Sequence, residues 1–201
     1  MLVNGSKLPN CPVLSLHVGG PIARTEFPIV DPNNLKVIGF TLSGPMIRGD
    51  VGNILDSNDI REFSKIGMII DSIDDFISEE DAIKIGKVLK LKFNLIGLRV
   101  ETKKGTRLGK VIDYTVDSET MVVQQIIVKR PFLKAIDDPE LIISRREIVE
   151  ITDEKIIIKD EEDKLRKRAV NQDFIPNFVN PFREQSLSRA QSQSPDESSI
   201  E

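Results

Sequence analysis

The fold is decided by the stretch Leu108-Gly109-Lys110-Val111-Ile112-Asp113-Tyr114-Thr115-Val116-Asp117 and what flanks it. A polar turn, Ser118-Glu119-Thr120, separates this stretch from a second apolar run, Met121–Arg130. On the other side, Lys103-Lys104-Gly105-Thr106 has the composition of a hairpin turn, with Gly105 supplying a positive φ. The pattern predicts three consecutive antiparallel strands.

Shorter apolar runs follow at residues 141–143, 148–151 and 156–159, after a loop marked by two prolines. Five or six short strands in so few residues favour a small closed β-barrel, because closure removes exposed sheet edges. The sequence therefore predicts one barrel over residues 95–160.

The same pattern occurs earlier in the chain, which indicates an internal repeat. Asp117 follows Asp31 by 86 residues, and the alignment runs without a gap from Val30 over Val116 to Pro45 over Pro131. A second gapless block, at an offset of 88, places Met68-Ile69-Ile70 over Ile156-Ile157-Ile158. Two long blocks in the same order predict a second, more divergent barrel over residues 1–75.

The second unit resembles the PRC-barrel family. The resemblance is carried by Ile96-Gly97-Leu98-Arg99-Val100, by Gly109-Lys110-Val111 with Asp113, by the turn at Asp117, and by Ile148-Val149-Glu150-Ile151. In the first unit, Ala23-Arg24-Thr25 replaces Gly109-Lys110-Val111. The resemblance implies a docking fold without a shared set of catalytic residues, and fold alone does not define function.

The predicted architecture is mainly β, with two small PRC-type β-barrels in tandem, a short helical connector and a disordered C-terminal tail. The connector spans residues 76–94, where Ile85, Val88 and Leu89 recur at helical spacing and a helix is expected to end near Lys90. Residues 161–184 form a charged, Phe/Pro-containing extension. Residues 185–201 are too poor in apolar groups to fold alone.

Composition argues against several classes of protein. The net charge of −4 gives no general nucleic-acid footprint, and Cys11, the single cysteine, permits neither an internal disulfide nor a cysteine-based zinc site. No stretch is long and apolar enough for a transmembrane helix, and the N-terminus lacks a signal-peptide pattern. We expect a cytoplasmic protein, and the sequence leaves its oligomeric state open.

The candidate catalytic and ligand motifs are weak, so the sequence predicts no enzyme, no cofactor and no metal. His17 is the only histidine and has no counterpart in the second unit. Between Gly105 and Gly109 there are three residues where a phosphate-binding P-loop needs four. The acidic stretch Asp71–Asp81 lacks the ligand spacing of a calcium loop.

Two segments are candidates for partner binding. Lys103, Lys104, Arg107 and Lys110 form a basic cluster on one predicted hairpin. The segment 174–182 concentrates apolar side chains and contains two prolines that stiffen it, with Phe174, Ile175, Phe178 and Phe182 as candidate docking residues. This segment either folds back over a barrel or docks onto a partner.

The leading hypothesis is a non-enzymatic protein-interaction module, with an unknown protein as its partner. The alternative is an RNA- or ribosome-associated assembly factor that acts through the basic hairpin, resembling the barrel part of the small-subunit maturation factor.

Overall fold

The computed structural model describes residues 1–47, 51–131 and 139–160. The fold is mainly β, with one α-helix and two seven-stranded sheets. The first sheet contains β2 (Pro12–Ser15), β3 (Gly20–Asp31), β4 (Lys36–Ser43), β5 (Ile54–Asp56), β6 (Glu62–Ser64), β7 (Gly67–Ile70) and β8 (Phe76–Ile77). The second contains β1 (Leu2–Asn4), β9 (Arg99–Thr102), β10 (Arg107–Asp117), β11 (Val123–Lys129), β12 (Glu140–Ser144), β13 (Ile148–Ile151) and β14 (Lys155–Ile158).

The two sheets repeat one strand order. The first runs β6-β7-β2-β3-β4-β5 and the second β13-β14-β9-β10-β11-β12, with the same parallel pair, β2–β7 and β9–β14. The registers agree with the offsets predicted from sequence, since Val30 pairs with Val37 as Val116 pairs with Val123. We call the two equivalent units the first and second repeats.

Neither repeat closes into the fully hydrogen-bonded barrel that the sequence analysis expected. The second sheet is a curled half-barrel, and among the described strands no pairing joins β12 to β13. The chain passes between these strands through a 3-10 turn, Arg145–Glu147, which redirects it at the corner. Ser144 Oγ accepts from the backbone N–H of Arg146, so backbone groups at the corner are bonded locally instead of across a ladder.

Gly109 fixes the start of β10 against β11. Its φ is +150°, and a Cβ there would lie 2.0 Å from the backbone oxygen of Lys129. Only glycine allows this close approach. Gly105, with φ +78°, supplies the positive φ predicted for the β9–β10 turn.

The two repeats are joined by their equivalent aspartate turns. Val37 N–H donates to the Met121 oxygen (2.7 Å), and Val123 N–H donates to the Leu35 oxygen (2.9 Å). Residues 37 and 35 of the first repeat are equivalent to residues 123 and 121 of the second. Each repeat therefore donates from one of these positions and accepts at the other, so the two hydrogen bonds are equivalent. Leu35 and Met121 also share a positive φ, 54° and 56°. We call this junction the seam.

One hydrophobic core runs through both sheets across the seam. Val37 and Phe40 of the first repeat and Val123 and Ile126 of the second belong to a single cluster and are fully buried. The N-terminal strand strengthens the connection, because β1 pairs with β10 of the second sheet, with Leu2 opposite Asp117. The predicted boundary at residue 75 had grouped these first residues with the first barrel.

The connector contains helix α1 (Ile83–Lys90), which ends where the sequence analysis placed it. Before the helix, Ser78 and Asp81 form a separate turn in which Asp81 N–H donates to Ser78 Oγ. Ile85 packs with Ile29 and Ile54 in a second, smaller cluster. The helix thus covers the outside of the first sheet.

We expect Gly109→Ala to lower the free energy of unfolding by about 2 kcal/mol or more, since backbone strain of this kind alone costs roughly 1–3 kcal/mol. Gly20→Ala is the matched control, because nothing lies within 4 Å of its Cβ position and its φ is not in the positive region; its change should stay within about 0.5 kcal/mol. Urea unfolding of both variants measures this. Equal changes would contradict the steric argument.

The shared core predicts that both repeats unfold together. Tyr114, the only tyrosine in a chain without tryptophan, reports on the second repeat by fluorescence, whereas circular dichroism reports on both sheets. Leu35→Ala, in the first repeat, should shift the tyrosine transition and the dichroism transition equally, with a loss of about 2–5 kcal/mol. A tyrosine transition that stays in place while the dichroism shifts would show that the repeats unfold independently.

Candidate functional site

The outer face of the second sheet carries a row of cationic side chains. Lys110 stands directly opposite Arg99 on β9 and opposite Lys129 on β11, and Lys155 on β14 is in register with Arg99. Glu140 on β12 ends the row beyond Lys129. Side chains at directly opposed positions share a face, with Cβ atoms about 4.5–5.5 Å apart. We call Lys155, Arg99, Lys110 and Lys129 the cationic row.

The two ends of the row differ in how far their charge is compensated. Arg99 Nη2 lies 3.0 Å from Glu154 Oε2, and Lys155 Nζ lies 3.4 Å from Glu101 Oε2. Within the described residues, Lys110 and Lys129 make no ion pair, and both side chains are exposed. Uncompensated charge is therefore greatest at Lys110, which has a cation on either side, whereas Lys129 also faces Glu140.

The row is not a requirement of the fold. The equivalent positions in the first repeat are Pro12, Arg24 and Ser43, which face one another across β2, β3 and β4. Only Arg24 is cationic there, and its Nη1 donates to the backbone oxygen of Asn10 (2.9 Å). Because the same strand order forms without a cationic row, the row in the second repeat needs another explanation.

Isoleucines lie beside the row on the same outer face. Ile127 stands opposite Ile142, and Ile112 occupies the β10 bulge next to them. Ile142 is 63% exposed and Ile112 37% exposed. We call these three residues the isoleucine row. Together the two rows form a mixed cationic and apolar surface, which we call the outer face.

The structure separates the four residues of the predicted basic cluster. Lys103 and Lys104 lie in the exposed β9–β10 turn, and Arg107 is directed to Glu101, with a separation of 3.7 Å. Lys110 alone joins the cationic row. Arg99 was missed because it follows an apolar run. Lys129, which pairs with Lys110, could have been found from the hairpin register, since strands that meet at Val116–Val123 bring Lys110 opposite Lys129.

The weak catalytic candidates lie apart from the outer face. His17 is exposed in the β2–β3 turn, and its backbone N–H donates to the Asp71 oxygen. A hydrogen bond from the Arg61 guanidinium lowers the pKa of the Asp71 carboxyl, and Asp75 forms a capping box with Ser72. Among residues 1–47, 51–131 and 139–160, no group of three His, Cys, Asp or Glu side chains is arranged to hold a metal ion. Phe174, Ile175, Phe178 and Phe182 lie outside the described residues.

A polar groove of about 910 Å³ lies between the repeats, next to the seam. It is bounded by the Asn33–Leu35 turn of the first repeat and by residues 144–153 of the second. Arg145 Nη2 donates to the backbone oxygen of Asn34 (2.7 Å), so this guanidinium links the repeats. The equivalent groove on the other side of the seam measures about 540 Å³ and is lined by Ser118, Glu119 and residues 60–65.

Residues 90–165 match the model of the PRC-barrel domain. A PRC-barrel domain is therefore present in this chain, and it comprises β9 to β14 together with the outer face. The match does not extend to the first repeat. No curated protein matches the chain. In the described part of the chain, no helix has both the length and the apolar character needed to cross a membrane.

We expect Lys110→Gln to raise the thermal midpoint, because Lys110 lies between Arg99 and Lys129 and like charges directly opposite each other on a sheet destabilise it by about 0.2–1 kcal/mol. The gain should be largest at low ionic strength and shrink in 1 M salt, where the screening length falls to about 3 Å. Lys65→Gln, in the β6–β7 turn of the first repeat, is the control and should change little. A gain that does not depend on salt would argue against charge repulsion.

Proposed function

We propose that this protein is a non-enzymatic protein-interaction module built from two PRC-type repeats, with the outer face of the second repeat as its docking surface. A cytoplasmic location is part of this proposal. The PRC-barrel match to residues 90–165 supports an interaction role. The duplicated strand order and the seam support a single rigid body made of two barrel-like units.

The observation that carries the proposal is the contrast between the two repeats. They share strand order and register, yet only the second places Arg99, Lys110 and Lys129 in one row beside exposed isoleucines. Opposed like charges and exposed apolar side chains both cost stability in the isolated chain. A partner that neutralises the lysines and covers the isoleucines would remove both costs.

The outer face fits a protein partner with acidic side chains beside an apolar patch. Charge complementarity of this kind supplies specificity and a fast association rate, while buried apolar contacts contribute most of the affinity. RNA remains the second candidate, because a line of three cations also fits a phosphate backbone. Neither row contains an aromatic side chain on which a base would stack, which favours the protein partner.

Native affinity purification of the full chain tests the proposal. The wild type should retain a protein partner, and Lys110→Glu/Lys129→Glu should lose it. The matched control, Lys65→Glu in the first repeat, should retain it. Equal capture by all three proteins would show that the outer face is not the docking surface.

Ribonuclease treatment during the purification separates the two candidates. A protein partner should survive the treatment. Capture that is lost with ribonuclease, together with RNA affinity that falls by orders of magnitude between low and physiological salt, would support the RNA-associated alternative. Partner docking through Phe178 and Phe182 of the segment 174–182 stays a prediction.

A further inference from the structure

The two repeats differ at one sheet edge. In the first repeat β8 covers β5, with Ile77 opposite Ile54 and Phe76 opposite Leu55. The equivalent strand of the second repeat, β12, has no strand on its outer side within the described residues. Ile54 is 1% exposed, whereas its equivalent Ile142 is 63% exposed. Ile54 packs against Ile85 of helix α1 and is flanked by β8, whereas among the described residues Ile142 has no strand beyond it.

The backbone of Ile142 points toward the open edge. Arg130 N–H donates to the Pro139 oxygen (3.0 Å), which sets the phase of the β11–β12 ladder. Hydrogen-bonded pairs alternate along antiparallel strands, so Leu141 and Ile143 bond to β11 while the peptide groups of Ile142 face away from it. In the first repeat, Leu42 N–H donates to the Asn53 oxygen (2.8 Å), and by the same alternation Ile54 faces β8.

We propose that β12 accepts an added strand from a partner protein, in the antiparallel register that β8 adopts on β5. This inference rests on the interaction function proposed above and locates its contact. Strand addition to an exposed edge takes its affinity from main-chain hydrogen bonds and its specificity from alternate side chains. The β12 edge offers the exposed Ile142 side chain and the N–H and C=O of Ile142, which pair with no strand in the described part of the chain.

The side chains of β12 next to the open edge determine which residues the added strand should contain. A large apolar residue sits opposite Ile143, as Phe76 sits opposite Leu55, and a β-branched residue sits opposite Ile142, as Ile77 sits opposite Ile54. Two residues further on, the added strand faces Glu140, which is exposed. A lysine or arginine complements this carboxylate. The added strand is thus an extended segment of the form Phe-Ile-Thr-Lys, while acidic side chains elsewhere on the same partner face Lys110 and Lys129.

The sequence that follows β14 differs from the first repeat at the covering positions. At the offset of 88, Lys164-Leu165 stands where the first repeat has Phe76-Ile77. The dipeptide Phe-Ile occurs again only at Phe174-Ile175, outside the described residues. Binding of the chain's own Phe174-Ile175 at the β12 edge is therefore a second outcome, which the experiment distinguishes from binding of a partner strand.

The test measures binding of two labelled peptides to the full chain by fluorescence anisotropy. One contains Phe-Ile-Thr-Lys and the other Phe-Ile-Thr-Glu. The wild type should prefer the lysine peptide by about two- to fivefold, the range expected for a cross-strand charge pair. In Glu140→Lys the preference should reverse. A reversal cannot arise from misfolding, whereas absent binding or an unchanged preference would overturn the proposal.

Ile142→Pro tests the backbone contact. Proline removes the N–H that faces the open edge and leaves the β11–β12 bonds in place, a location where sheets tolerate proline. Both peptides should lose affinity while the thermal midpoint stays close to that of the wild type. Ile142→Thr, which keeps the N–H and the β-branched shape, should retain binding. Retained affinity in a folded Ile142→Pro would overturn strand addition.

Two further outcomes distinguish a failure of strand addition at β12 from a failure of the proposed interaction function. If the wild type captures a native partner and Ile142→Pro captures it equally, the interaction function stands and the β12 edge is not its site. If the wild type captures nothing, the proposed function itself fails. Peptide binding that appears only in Phe174→Asp/Ile175→Asp would assign the edge to the chain's own C-terminal residues and overturn the partner strand.

Discussion

The structure depends on the seam, where two equivalent aspartate turns exchange backbone hydrogen bonds. Each turn is closed by a backbone hydrogen bond of 2.8 Å, from Met121 N–H to the carbonyl oxygen of Asp117 and from Leu35 N–H to that of Asp31. The aspartate carboxylates also accept within the turns, from the N–H of Thr120 and of Asn33. Hydrogen bonds from Thr120 also lower the pKa of the Asp117 carboxyl. The turns hold Leu35 and Met121 at positive φ, which costs energy for residues other than glycine. That cost is offset because both side chains are buried in the common core.

The seam and the shared core join the second repeat to the first, and the surface of the second repeat carries groups that the fold does not require. The cationic and isoleucine rows lie on the outer face, whereas the inner face of the same strands consists of fully buried residues such as Val100, Val128 and Ile156. Strand alternation keeps these two sets apart. The inner face is thus determined by packing, and the outer face is free to be determined by a partner.

Much of the fold could be predicted from sequence because the same strand and turn pattern occurs twice in the chain, and each occurrence can be checked against the other. The offsets of 86 and 88 place Val30 over Val116 and Met68 over Ile156, and the registers of both sheets agree with them. The outer face could be predicted only in part, because it depends on pairing between strands that are distant in sequence. Among the described residues the edge of β12 is open, and this could not be predicted, because strand pairing with residues distant in sequence decides whether an edge is covered.

The N-terminal strand has a consequence for how this protein is made. Leu2 pairs with Asp117, and the amino group of Met1 lies 3.7 Å from the Asp117 carboxylate. During synthesis, β1 leaves the ribosome before β10 and has no strand to join until β10 has emerged. Contacts of such long sequence separation slow folding. β1 is therefore without its partner strand while the whole first repeat is synthesised. During that interval the chain is exposed to chaperones and proteases.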